Sequence, residues 1–206
     1  MKRRPNTPIT SLIFHSQGSV FLTLFFFIAG LSCGIFAELL MNSTQKLQMS
    51  DYLTQNLFSS DLSEASLSSV FFTSAANNLG LLWLIFLSGL TVIGFAAALI
   101  TVVYKGMALG YTSALFLESM SGQGACAIIA SILPQNMIFI PVFLVACVCA
   151  LNFAASLFHM KKQGMKKGLT SHVGPYLSIY LILSAAVIAA CLIESFISPA
   201  LLQLVG

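Results

Sequence analysis

Charge is what this sequence has least of. Nine Lys and Arg and six Asp and Glu make up 7% of 206 residues, against about a quarter in an ordinary globular chain. That scarcity excludes a solvated surface of normal size. The net charge of +3 is too small and too dispersed to mark a nucleic-acid surface. Histidine is also sparse. His15, His159 and His172 form no H-x-x-x-H pair, and no Ser-His-Asp or Cys-His order stands out in the polar segments. A glycine-rich phosphate loop is missing, so any coupling to nucleotide hydrolysis needs another subunit. Asp51, Asp61 and Glu64 lie in a segment too short to scaffold a pair of hydrolytic carboxylates and read as solvated charge. The residues give no basis for an enzyme, a cofactor or a metal site.

What fills the sequence is apolar: 58% of residues are hydrophobic, 17 are Phe, and the mean hydropathy is +0.95. At about 20 residues per crossing, the length accommodates about five spans with short connections. The expected fold is an all-α polytopic bundle in the lipid bilayer. The five cysteines, Cys33, Cys126, Cys147, Cys149 and Cys191, all fall in apolar runs, where Cys packs as a small hydrophobe. Cys147 and Cys149 point to opposite sides of a helix and make a poor metal pair.

Residues 1–19 carry Lys2, Arg3 and Arg4 ahead of an apolar run over 20–41. The run exceeds a signal-peptide core and no A-x-A site follows, so it reads as a retained first span. The "GLSC" at 30–33 lacks the Leu that a lipoprotein box places three positions before its cysteine. A polar stretch, 42–78, follows as an outer loop with a loosely amphipathic half able to rest on the bilayer. The bundle proper is expected over 79–206. Within it a second helix runs from about Leu79 to Val103 and closes at Tyr104–Gly106. The stretch from Met107 to His159 crosses out and back, and a last helix spans about 174–197 ahead of Pro199. Lys161, Lys162, Lys166 and Lys167 cluster at one span end. Placing them and the N-terminus in the cytoplasm makes Lys105 cytoplasmic as well and leaves Lys46 outside, an N-in, C-out topology.

The segment "ILPQN" at 132–136 puts Pro134, Gln135 and Asn136 inside an apolar region, where an unsatisfied amide costs several kcal/mol. Two readings remain open. In one, Pro134 stops a helix at the outer face and Asn136 caps the next. In the other, residues near 120–136 form a broken or re-entrant element whose amides line a polar cavity. Glu38, Glu118 and Glu194 sit at or inside span ends, and Glu118 is the acid expected to be buried, against Asn77, Asn78 or Asn152. Gly30 with Gly34, and Gly106 with Gly110, have the GxxxG spacing that permits close helix approach, within the chain or in a homo-oligomer.

A basic N-terminus with one anchor, an outer polar loop, "YKGMALGYTSALF" at 104–116, "ILPQN" at 132–136 and "IESFISP" at 193–199 together resemble the stage II sporulation protein M family, SpoIIM. Broader relatives often carry His-Gly after the Leu-Pro and a Glu soon afterwards; here Gln135 and Asn136 follow, and the next acid is Glu194. The resemblance implies a multi-pass protein of the sporulation septum and mother-cell membrane. It would act in engulfment as a scaffold that recruits two cell-wall-degrading partners, SpoIID and SpoIIP. The competing expectation is a membrane subunit of a transporter or channel, with a polar pathway near Glu118, Gln135 and Asn136.

Overall fold

The computed structural model describes residues 17–42, 44–48, 64–91, 94–119, 133–162, 169–193 and 195. They form five long helices: α1, Gln17–Leu39; α2, Glu64–Gly89; α3, Phe95–Ser119; α4, Leu133–Lys162; and α5, Leu169–Leu192. One helical turn, 44–48, follows α1, and no strand occurs among the described residues. Each long helix holds a run apolar and long enough to cross a bilayer.

Two boundaries correct the sequence reading. The second helix starts at Glu64, inside the stretch expected to be loop, and ends at Gly89 rather than near Val103. Its Ser, Thr and Asn residues resemble a connector in composition, yet a helix in lipid can satisfy them on its own backbone: Asn78 Nδ2 donates to the Ser74 carbonyl at 2.9 Å. The reversal into α3 falls within the apolar sequence "LTVIG" at 90–94. Leu90 and Thr91 donate to the carbonyls of Leu87 and Ser88, and Thr91 Oγ1 also donates to Ser88. A β-carbon on Gly94 would collide with the Ser88 carbonyl, so glycine is what the tight turn admits. As a result, Lys105 is not an interfacial residue but the eleventh residue of α3.

Five crossings put the start of α1, the α2–α3 turn and Lys161–Lys162 on one side. The positive-inside bias makes that side cytoplasmic and agrees with N-in, C-out. The parity survives because moving the turn from 104–106 to 90–94 changes the length of the crossings and not their number.

The core lies between α2, α4 and α5. Tyr176 stacks between Phe153 and Phe86 at centroid distances of 4.2 and 5.0 Å. Buried phenols need partners: Tyr176 Oη donates to the Phe86 carbonyl at 3.0 Å, and Tyr180 Oη donates to the Ala146 carbonyl at 2.7 Å. α1 lies to the side and packs chiefly on α3, with Phe21, Phe25 and Phe36 exposed. In a bilayer those rings contact lipid tails.

Candidate functional site

The two GxxxG segments meet each other. A β-carbon on Gly30 would lie 2.9 Å from Val103 Cα, one on Gly106 would lie 2.5 Å from the Phe27 carbonyl oxygen, and one on Gly34 would lie 2.8 Å from the Tyr111 nitrogen. Gly110 sits equally close to Leu31. Residue numbers rise together along both helices, so α1 and α3 run parallel with backbone against backbone. The four glycines are engaged within the chain.

This seam brings the outer ends of α1 and α3 side by side, each carrying one acid. Glu38 is buried and Glu118 is half exposed. Just past α1, the Gln45 and Lys46 amides donate to the Asn42 carbonyl, and the resulting helical turn aims Lys46 back at the bundle. Lys46 Nζ donates to Glu118 Oε2 at 2.6 Å and stands 2.9 Å from Glu38 Oε1. The second contact has the distance of an ion pair without the angles of a hydrogen bond, since Glu38 Oε1 finds no hydrogen-bond partner. Glu118 foremost, then Glu38, hold the Lys46 ammonium above the usual lysine range. One cation thus fastens the start of the outer segment to two helix ends. The expected burial of Glu118 against asparagines is corrected: it lies at the outer end of α3, where Lys46 can reach it.

The second polar cluster is within the spans. Lys105 Nζ donates to Asn78 Oδ1 and lies 5.5 and 4.9 Å from the ring centroids of Phe139 and Phe143, within cation–π range. Asn78 Nδ2 passes the contact to Ser74 Oγ at 3.1 Å, and Ser74 Oγ lies 3.6 Å from Cys191 Sγ. The chain of contacts links α3, α2 and α5. Lys105 and Asn136 line one small cavity with Phe27, Val102, Leu109, Phe139, Ile140, Phe143 and Leu144. Its volume is about 20 Å³, room for about one water molecule.

Sequence reasoning missed Lys105 because a lysine beside glycine in an apolar run looks like a span end. Span length gave no warning, since a helix over 79–103 is an ordinary crossing; only the start of α2 at Glu64 shows that the crossing ends earlier. Pro134 stands in the first turn of α4, where the missing N–H is harmless. Asn136 is the fourth residue of that helix rather than its cap, which corrects the capping reading. Gln135 shares the turn. Glu118 is thirteen residues beyond Lys105 along α3, about 20 Å at 1.5 Å per residue, and does not line the cavity that Lys105 shares with Asn136. Residues 120–132, Glu194 and Pro199 lie outside the described residues, as does Cys126.

Five apolar helices, a parallel glycine seam and a lysine at mid-span define a polytopic helical membrane protein. The family model for Stage II sporulation protein M, SpoIIM, matches residues 23–199. The chain belongs to that family and is a sporulation-related, multi-pass membrane protein. No curated protein and no solved structure matches it.

Proposed function

We propose that this chain is a non-enzymatic scaffold. It recruits SpoIID- and SpoIIP-like cell-wall hydrolases and holds them at the septum and mother-cell membrane during engulfment. The observation that carries this reading is the clamp of Lys46 on Glu38 and Glu118. A passive connector gains nothing from being fastened where it leaves the membrane, whereas a docking segment gains a fixed orientation that lowers the entropy lost on binding. Family membership supplies the sporulation context. The docking surface is then the outer segment around residues 49–63, with the outer ends of α1 and α3 as its base.

The transporter reading has one observation in its favour, the meeting of Lys105 and Asn136 in a cavity within the spans. The volume of that cavity, about 20 Å³, favours the scaffold, because it holds a water molecule and not a solute. Replacing residues 49–63 with a Gly-Ser linker of equal length separates the two readings. Loss of hydrolase co-purification from sporulating cells, with membrane insertion intact, supports the scaffold. Unchanged co-purification, together with labelling of Asn136→Cys by a membrane-impermeant thiol reagent in a background without native cysteines, overturns it.

A further inference from the structure

Asn77 differs from its neighbours in α2. Ser74 and Asn78 bond to each other inside the bundle, whereas Asn77 is exposed on the outer surface and its carboxamide has no hydrogen-bond partner among the described residues. It stands twelve residues from the inner end of α2 at Gly89, about 18 Å along the axis, and so lies inside a hydrocarbon layer about 30 Å thick. The reversal at 90–94 makes α2 and α3 antiparallel, and Asn78 meets Lys105 between them. One residue back on each helix is a rotation of about 100°, and on antiparallel neighbours these rotations lead to the same side. Asn77 and Tyr104 therefore share one outer face at one depth, and Tyr104 is 49% exposed. The Tyr104 hydroxyl also has no hydrogen-bond partner among the described residues. Acyl chains offer neither group a hydrogen bond, and an unmet amide is costly there.

We propose that this face pairs α2 with α2 of a second copy of the chain. A carboxamide is its own electrostatic complement: its N–H groups are partially positive and its oxygen partially negative, so two of them close a reciprocal pair of hydrogen bonds. Two copies inserted in the same orientation hold Asn77 at the same depth. A twofold axis along the membrane normal then sets one amide against the other. Close approach is open as well. Thr73, Ala76, Asn77, Gly80, Leu84 and Leu87 recur at three- and four-residue intervals and are all exposed, and nothing lies within 4 Å of the β-position of Gly80. An amide flanked by small residues is what a close helix pair in lipid uses. Tyr104, one helix away, brings its hydroxyl to the rim of the same contact. The pairing is independent of the scaffold reading, because it uses no residue of the outer segment and needs no hydrolase.

The test places the full chain, labelled at its N-terminus with a donor or an acceptor dye, in vesicles of phosphatidylethanolamine and phosphatidylglycerol. Energy transfer is read as added lipid dilutes the protein. It should fall along the curve of a dimer dissociating. Asn77→Leu should weaken self-association about tenfold. Gly80→Leu should weaken it by bulk alone, and the chain itself accommodates that bulk because the position is open. Transfer no greater than random proximity gives at every dilution overturns the proposal, as does self-association that survives in Asn77→Leu or in Gly80→Leu. A chain that stays monomeric yet binds a leucine-rich peptide with a central Asn overturns it in favour of a helix of another protein. Hydrolase co-purification is read separately, so a failure here is distinguishable from a failure of the scaffold reading.

Discussion

A β-carbon on Gly106 would stand 2.5 Å from the carbonyl oxygen of Phe27, so α3 meets α1 there at backbone distance. Backbone cannot rotate away as a side chain can. Gly106→Ala should therefore destabilise the bundle by about 1–3 kcal/mol despite the better helix propensity of alanine. Gly80, with nothing within 4 Å of its β-position, is the control: Gly80→Ala should be neutral or stabilising by up to about 1 kcal/mol. Thermal unfolding of the two variants in detergent checks the contrast, and equal effects would refute the seam.

The Lys105–Asn78 contact should appear as an energetic coupling. A double-mutant cycle with Lys105→Met and Asn78→Leu should give a coupling of about 0.5–3 kcal/mol, since a charge-assisted hydrogen bond is lost once either partner is gone. The double variant should be close to wild type in stability, because a buried polar pair replaced by apolar groups is often tolerated. Additive single effects would show that the two side chains act independently.

Lys46→Met should loosen the outer segment and leave Glu38 and Glu118 facing each other. Hydrogen exchange over 44–48 should rise and the unfolding temperature should fall, more than for Glu118→Gln, which leaves Lys46 beside Glu38. The pH dependence follows from the sign of the shift. A lysine whose folded pKa is raised contributes fully below its ordinary value of 10.5 and loses that contribution as pH rises through the elevated one. The clamp should thus be constant between neutral pH and pH 9 and weaken only in stronger alkali. A clamp that loosens between pH 7 and pH 9 would contradict the assignment.

Much of the fold was legible because hydrocarbon leaves few choices. Length, hydropathy and the lysines at 161–167 were enough for five spans and their orientation. The pairing of the two GxxxG segments was suggested by spacing, but the choice between an internal and an external partner depends on which helices become neighbours. Lys105 and the start of α2 were misread for one physical reason: average polarity treats a side chain as though it faced water. Ser74 and Asn78 satisfy one another and the helix backbone, and Lys105 finds Asn78 across the bundle. Glu118 was misplaced for the converse reason, since its partner Lys46 is 72 residues away in sequence.

The scaffold account is tested most directly by photo-crosslinking in sporulating cells, with a photo-reactive residue scanned through 44–63. The account predicts capture of cell-wall hydrolases at a periodic subset of these positions, with the pattern lost in Lys46→Met. Correctly inserted protein that captures no hydrolase at any of them would contradict it.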